Sequence, residues 1–367
     1  MLTHVQFQSI KSLLDVSVEL APFTVLVGPN GCGKSTFLDQ LELLCRCTAG
    51  PPHNGSDLGE AGDIIADSRV DQLRTTGSRR DMAWRATTSE GAAFAMSVAP
   101  PGKPNAHQRC QLVFSAGKQE WRRASGVTPR DAQELVDAAL AEHFGWRAQR
   151  LRLSPSDVVA PVDVRERTLG ATGLGLASVL GRLARNDQDA YAAIQSDLRL
   201  VVPHFEKLQI VDVDVPNAQG VAVGGAALQL VFKGAGQVPA TSASDGTLLA
   251  LALLTATHNR ELPTLVLMDD IDHGLHLGAQ YEIVEAIRRV MVARPELQVI
   301  CTTHSPVLLD SFKPEEVRVM ALDDSGHTLV SKLTDHPSFE KYNKLLQTGE
   351  LWATTGEDWV RHAHAEK

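Results

Sequence analysis

The sequence has few aromatic residues, few cysteines and no long apolar run. Aromatic residues make up 5% of its 367 residues, and its five cysteines have no regular spacing. An odd number of irregularly spaced cysteines argues against a disulfide framework. Cys45 and Cys47 lack the second Cys or His pair that would complete a zinc site. We therefore expect reduced thiols, as in cytoplasmic proteins.

The chain also lacks the signals for a membrane or for export. Its longest apolar run, near Leu248–Leu254, is much shorter than the roughly 20 residues that cross a bilayer. The stretch from Met1 to Lys11 has no apolar core of the kind found in signal peptides. We predict a cytoplasmic protein that has no membrane partner.

The charge balance is acidic, with a formal net charge of -9 at pH 7. Such a balance argues against a general binder of polyanions. Arginines are nevertheless dense over residues 69–85 and 147–152. Two interpretations stay open for them: solvated surface charges, or a local patch that contacts nucleic acid.

Hydrophobic patterns predict an α/β protein. Phe23–Val27 is a near-continuous apolar run and Leu265–Met268 a continuous one, which is typical of buried parallel strands. Helix and strand patterns alternate after Thr247, whereas Ala83–Val98 alternates like antiparallel strands. We predict an N-terminal lobe over 1–150, a helical arm or lid over 151–215, a C-terminal lobe over 216–335 and a tail over 336–367.

Four further elements are predicted around the junction of the first lobe and the arm. A helix is expected from Thr128 to Phe144 and a strand over Arg150–Leu153. Two helices, Leu174–Leu183 and Ala190–Leu200, would form the arm itself.

Residues 28–36 read Gly-Pro-Asn-Gly-Cys-Gly-Lys-Ser-Thr and fit the phosphate-binding pattern G-x-x-x-x-G-K-[ST]. The glycines let successive backbone N–H groups point at phosphates, and the loop opens a helix whose N-terminus favours an anion. Lys34 is predicted to reach the β- and γ-phosphates of ATP, and Ser35 to bind Mg²⁺. The residues expected to hold the nucleotide are Asn30, Gly31, Cys32, Gly33, Lys34, Ser35 and Thr36.

Two carboxylates end the second buried strand. A carboxylate at such a strand tip holds Mg²⁺ directly or through water, and we assign this role to Asp269. Asp270 would orient or deprotonate the attacking water. An acidic loop start without catalytic function is the alternative.

A histidine and a serine corner complete the candidate set. His304 ends the strand Val299–Thr302 and is predicted to contact the γ-phosphate. Ser244 and Gly246 precede an apolar helix and form a corner suited to an anion. Because the chain already has a phosphate loop, this corner would serve another subunit's nucleotide; a simple helix cap is the alternative.

In this order, the motifs resemble those of the ABC-type ATPases of the SMC and RecF class. More closely, the chain is similar to the AAA-family ATPases of the AAA_21 type, which are related to the OLD ATPases. The supporting segments are Phe7-Gln-Ser-Ile-Lys-Ser, Ser244-Asp-Gly-Thr, Gly274-Leu-His and Thr302-Thr-His-Ser-Pro. The resemblance spans roughly residues 1–335 and implies an ATPase head with a mixed β-sheet lobe, a parallel α/β lobe and an inserted helical arm.

The resemblance also implies a dimer in which two heads enclose the nucleotides. Ser244 and Gly246 would then act in trans on ATP held by the partner's phosphate loop. Many such ATPases serve in DNA repair or anti-phage defence with a nuclease. Because only about 30 residues follow the resemblance, too few for a nuclease domain, the effector is expected to be a separate protein. DNA is a further candidate ligand.

Two positions depart from the family pattern. Asp270 stands where glutamate is usual, and a catalytic group misplaced by about 1 Å can cost roughly 10²-fold in rate. No glutamine is placed as the Q-loop residue, since Gln149 precedes the predicted strand rather than following it.

These features predict an ATP-hydrolysing, dimerising switch that controls a partner effector in DNA repair or antiviral defence. One alternative is the ATPase subunit of an ABC membrane transporter, although the serine corner lacks the Leu-Ser-Gly-Gly-Gln form. The other alternative is a slow or non-hydrolysing nucleotide sensor, which the Asp270 departure favours.

Overall fold

The computed structural model describes residues 1–48, 72–100, 110–117, 119–124, 148–217, 219–261 and 264–365. The chain forms two compact units. The first comprises Met1–Ala148, Gln298–His304 and Phe312–Lys367, and the second Gln149–Leu297 and Ser305–Ser311. The helix predicted over 128–144 lies outside the described residues.

The described strands are β1 (Leu2–Ile10), β2 (Leu13–Glu19), β3 (Phe23–Val27), β4 (Met82–Thr88), β5 (Ala93–Val98), β6 (Cys110–Ala116), β7 (Gln119–Ala124), β8 (Ala148–Leu151), β9 (Val162–Asp163), β10 (Phe205–Pro216), β11 (Ala222–Phe232), β12 (Gly236–Pro239), β13 (Leu265–Met268), β14 (Gln298–Thr302), β15 (Val317–Leu322) and β16 (Thr328–Lys332).

The described helices are α1 (Lys34–Thr48), α2 (Pro155–Val158), α3 (Leu176–Asn186), α4 (Gln188–Val201), α5 (Asp245–His258), α6 (Leu277–Ala293), α7 (Pro306–Leu309), α8 (Phe339–Tyr342), α9 (Thr348–Thr355) and α10 (Asp358–Ala365). In the part of the chain that the structure describes, no helix combines the length and apolar character needed to cross a membrane.

An antiparallel sheet with the strand order β2-β1-β4-β5-β6-β7 forms one layer of the first unit. Buried and less buried side chains alternate along β5 and along most of β1, as expected for a sheet with one face in the core. The sheet packs on α1, because Phe7 and Phe37 meet edge to face with ring centroids 5.2 Å apart. Trp84 Nε1 also donates to Gln40 Oε1 at 2.9 Å, so a buried hydrogen bond ties β4 to α1.

Strand β3 is the central strand of the first unit's second layer. It pairs in parallel with β14 on one side and with β15 on the other. All five of its residues are buried, which accounts for a sequence that is apolar except for Thr24. Strands β15 and β16 form an antiparallel hairpin, and α10 packs on this hairpin.

The second unit is organised around the apolar helix α5. Every residue from Thr247 to Thr257 is buried, as expected for a helix that is hydrophobic on all sides. The two helices of the predicted arm, α3 and α4, pack against α5, and α4 also contacts α6. Strands β10, β11 and β12 form a separate antiparallel sheet, and β8 neighbours β13.

The α/β fold class and the antiparallel layer of the first lobe are confirmed. Strands β3 and β13 have the predicted bounds, whereas the strand predicted over Arg150–Leu153 covers Ala148–Leu151. The hairpin of β15 and β16 was not predicted. The apolar segment Val317–Leu322 does not indicate from sequence alone that it pairs with β3.

Candidate nucleotide site

The phosphate loop joins β3 to α1 in a backbone form that requires glycine. Gly28 and Gly33 have φ values of 146° and 103°, which favour glycine. A Cβ on Gly28 would lie 2.2 Å from the carbonyl oxygen of Met320, and a Cβ on Gly33 would lie 2.5 Å from Thr328 Oγ1. The loop backbone is therefore in direct contact with the β15–β16 hairpin behind it.

Thr328 and Ser12 support the phosphate loop from behind. Thr328 Oγ1 lies 2.8 Å from both the carbonyl oxygen of Cys32 and Ser12 Oγ, and the Thr328 N–H donates to the carbonyl oxygen of Ser12. Ser12 lies in the turn between β1 and β2, and Thr328 is the first residue of β16, so the two are distant in sequence. Sequence reasoning missed them because no motif marks them.

Lys34 lies within the phosphate loop and is 7% exposed. Its Nζ donates to the carbonyl oxygens of Gly28 at 2.8 Å and Pro29 at 3.0 Å. Cys32 is fully buried, and this burial raises the pKa of its thiol despite the nearby ammonium. The loop therefore presents a positive charge, and Cys32 adds no negative one at neutral pH.

The loop fits a phosphate ligand. Asn30, Gly31 and Ser35 are exposed on its rim, while Cys32 and Lys34 are buried beneath them. The first N–H groups of a helix have no acceptor within that helix, and α1 starts at Lys34. Backbone donors, a helix N-terminus and an ammonium thus meet in one loop, which is the donor set that binds phosphate oxygens.

His304 leaves the sheet at the same edge as the phosphate loop. Thr302 of β14 is in register with Leu26 of β3, and the Thr303 N–H donates to the carbonyl oxygen of Leu26 at 3.3 Å. Because the strands are parallel, their carboxyl ends share one edge. The structure brings exposed His304 and the phosphate loop together in the first unit.

The two carboxylates that end β13 differ in their surroundings. Asp270 is exposed and has a φ of 47°, a left-handed conformation that aspartate tolerates better than most residues. Asp269 is less exposed, and its Oδ2 accepts from Arg150 Nη2 at 2.8 Å and from Arg152 Nε at 3.2 Å. Sequence reasoning placed these arginines only in a general basic stretch.

The arginine contacts conflict with Asp269 as a ready Mg²⁺ ligand. Mg²⁺ requires carboxylate or water oxygens at about 2.0–2.1 Å in near-octahedral geometry. Oδ2 of Asp269 instead holds two guanidinium groups, of which Arg150 is buried. Ser35 is exposed beside the start of α1 and remains suited to the cation.

The serine corner caps α5 in the second unit. Ser244 Oγ accepts from the Thr247 N–H at 3.4 Å and lies 2.8 Å from Thr247 Oγ1. A Cβ on Gly246 would lie 2.5 Å from the carbonyl oxygen of Gly274. The corner is therefore packed closely against the turn that follows the Asp-Asp strand.

The side chain of Gln149 makes a hydrogen bond to the backbone of its own unit. It lies within β8, and its Nε2 donates to the carbonyl oxygen of Leu169 at 2.8 Å. This contact is consistent with leaving the Q-loop position unassigned.

Comparisons with known proteins agree with the motifs. Residues 136–310 match the AAA_21 family, described as "AAA domain, putative AbiEii toxin, Type IV TA system". The match includes the serine corner, the Asp-Asp strand and His304, while the phosphate loop precedes it.

Solved SMC heads share the fold over nearly the whole chain. An SmcHead bound to the C-winged helix domain of ScpA has a TM-score of 0.59 at 15% identity, covering 94% of this chain and 99% of that one. An Smc head with an extended coiled coil, bound to the C-terminal domain of ScpA from Pyrococcus furiosus, has a TM-score of 0.56 at 14% identity, covering 94% and 99%. Residues 136–310 thus resemble the AAA_21 domain, and nearly the whole chain has the fold of an SMC head. The predicted fold, that of a P-loop ATPase head, is confirmed.

Proposed function

We propose that this ATPase binds ATP with Mg²⁺, hydrolyses it and acts as a dimerising switch that controls a partner protein. The geometry of the phosphate loop carries the proposal. A Cβ on Gly28 or Gly33 would clash with Met320 or Thr328 behind the loop, and the buried Lys34 lies against the loop carbonyls. Mg²⁺ would supply positive charge that offsets the charge developing on the phosphates.

Each motif residue has a role in this proposal. Lys34 neutralises charge on the β- and γ-phosphates, and His304 contacts the γ-phosphate. Asp270 orients or deprotonates the attacking water. Its left-handed backbone, to which aspartate is suited, is one reason why aspartate rather than glutamate stands there.

The switch requires a second copy of the chain. Ser244 and Gly246 would complete the site of the partner copy, as the order of motifs in related ATPases implies. The solved SMC heads bound to ScpA domains support control of a separate protein by such a head. The toxin–antitoxin term in the family description supports a defence role with a separate effector, such as a nuclease, and DNA repair is the other setting.

Light scattering with ATP tests the dimer. An Asp270→Asn variant is expected to double its mass in ATP, because slowed hydrolysis traps the closed form. A Lys34→Ala, Asp270→Asn double variant is the matched control and should stay monomeric. A persistent monomer of Asp270→Asn at saturating ATP would overturn the switch.

Mixing two inactive variants tests action in trans. Lys34→Ala cannot hold ATP in its own phosphate loop. Ser244→Arg blocks only the serine corner that would act on the ATP of the partner copy. A mixture of the two should release phosphate, because one of its two shared sites is intact. An inactive mixture, together with an active Ser244→Arg variant alone, would contradict a shared site.

A non-hydrolysing nucleotide sensor is the second candidate, favoured by the arginines at Asp269 and by Asp270. It predicts ATP-dependent dimers without phosphate release from the wild-type protein. Robust turnover of ATP by the wild type would discard it.

A further inference from the structure

Four arginines line a cleft in the second unit, which we call the arginine cleft. Its volume is about 360 Å³, comparable to that of small-ligand pockets. Arg165 and Arg167 come from the segment that follows β9. Arg182 and Arg185 lie three residues apart on α3 and therefore share one face of the helix. Among the described residues, Glu261 is the one carboxylate in the lining.

The segment after β9 is held on α3 by hydrogen bonds. The buried Ser178 Oγ lies 3.0 Å from the carbonyl oxygen of Val164 and 2.8 Å from that of Glu166. Arg182 Nη2 donates to the carbonyl oxygen of Arg167 at 2.7 Å. The segment and the helix that supply the arginines are therefore fixed to each other before any ligand binds, which lowers the entropic cost of binding.

The arginine cleft has an excess of positive charge even when the carboxylates beside it are counted. Asp163 Oδ2 accepts from Arg165 Nη2 at 2.6 Å, and Glu261 pairs with Arg182. Glu166 is a third carboxylate, and its Oε1 accepts from backbone N–H groups of its own segment. Four guanidinium groups and three carboxylates leave one positive charge in excess.

Arg167 and Arg185 are the arginines of the cleft that remain open to a ligand. Both are exposed, and within the described ranges neither side chain forms an ion pair. Nε of Arg182 is buried and has no hydrogen-bond acceptor among the described residues. Buried donors without an acceptor are rare in proteins, and an oxygen of a bound ligand is one way to satisfy such a donor. These three side chains favour an anion that carries several acceptor oxygens.

We propose that the arginine cleft binds the phosphate group of a small ligand. Guanidinium groups present paired N–H donors whose spacing matches the oxygens of a phosphate. A concave site of this volume suits a compact ligand, whereas nucleic-acid backbones are bound along an extended positive groove. The cleft belongs to the second unit and the phosphate loop to the first, so the proposal does not depend on ATP binding by the loop.

Calorimetric titration of pyrophosphate into the full chain carrying Lys34→Ala, in EDTA, tests the proposal. The substitution removes the ammonium of the phosphate loop, so that the remaining binding reports on the cleft. In this background, Arg167→Gln and Arg185→Gln should each weaken binding by about threefold or more, because a charge-assisted contact of an exposed side chain is lost. The two changes together should weaken it by about tenfold or more.

Arg199→Gln is the matched control. It removes the same charge from an exposed arginine of the second unit, whose guanidinium donates to the carbonyl oxygen of Glu206 instead. It should leave the affinity for pyrophosphate unchanged. The melting temperatures of the two cleft variants should match that of the Lys34→Ala background, because both side chains are exposed.

Two results would overturn the proposal. One is the absence of pyrophosphate binding at millimolar concentration, and the other is an equal affinity of the cleft variants and the Arg199→Gln control. A DNA oligonucleotide without terminal phosphates is the second probe. If the cleft variants weaken binding of the oligonucleotide and not that of pyrophosphate, the cleft binds nucleic acid and the proposal of a small ligand is wrong.

Discussion

The phosphate loop of the first unit and the Asp269–Asp270 end of β13 in the second unit are built in different ways. The loop depends on backbone conformation and on contacts with backbone and hydroxyl groups behind it. At the end of β13, Asp269 is instead held by the charged side chains of Arg150 and Arg152, which lie more than 100 residues earlier in the sequence. A loop that depends on its backbone conformation can be recognised from one short motif. The surroundings of a carboxylate also depend on charged residues that lie outside any motif.

The largest expected effect is on the loop. Gly28→Ala should lower the free energy of unfolding by about 3–5 kcal/mol, the sum of left-handed strain and a clash with Met320. Gly31→Ala is the matched control, since it also has a positive φ of 78° but meets nothing within 4 Å of an added Cβ. Chemical denaturation measures both. Equal losses in the two variants would show that contact with the hairpin is unimportant.

The next largest effect is expected at Asp269, at the end of β13. Asp269→Asn should lower the free energy of unfolding by about 3 kcal/mol, because the buried Arg150 then faces a neutral partner. Asp163→Asn removes the carboxylate of an exposed pair with Arg165 and should cause no measurable change. If both variants melt like the wild type, the Arg150–Asp269 contact does not stabilise the second unit.

A third effect depends on pH and concerns Asp197. Burial raises the pKa of this carboxyl, but hydrogen bonds from His258 and Arg289 outweigh burial and hold the pKa below its ordinary value of 3.8. Because the folded-state pKa is depressed, the stabilisation is complete above the ordinary value and is lost as the pH falls through the folded-state value.

Asp197→Asn should therefore cost about 2 kcal/mol of unfolding free energy at neutral pH, the value of hydrogen bonds to a charged group. The difference from the wild type should shrink as the pH falls below the ordinary value, when the wild-type carboxyl is also neutral. Urea titrations at several pH values measure this. A difference that stays constant with pH would exclude the ionised carboxylate as its source.

The smallest stability effect concerns the support behind the loop. Thr328→Val should cost about 1 kcal/mol, because its hydroxyl no longer bonds to Cys32 and Ser12. It should also weaken ATP binding. Thr348→Val removes a similar hydroxyl bond to Phe312 away from the loop and should match the stability loss without changing ATP affinity. Equal affinities in both variants would mean that the support does not position the loop.

The phosphate loop was largely predictable from the sequence, whereas the surroundings of Asp269 were not. The strand Phe23–Val27 and the loop after it were predictable, because burial on both faces produces an apolar run and phosphate binding needs glycines. The hairpin that touches Gly28 and Gly33 was not predictable, since it meets the loop only in the folded chain. Arg150 and Arg152 were recognised in the sequence as part of a basic stretch, but their pairing with Asp269 was not predictable.

Calorimetric titration of ATP into the wild type and the Lys34→Ala variant tests the central claim most directly. We expect one ATP per chain for the wild type. We also expect at least about tenfold weaker binding for the variant, because a charge-assisted contact with the phosphates is lost. Equal affinity of the two proteins, or no binding by the wild type at millimolar ATP, would contradict a nucleotide site in the phosphate loop.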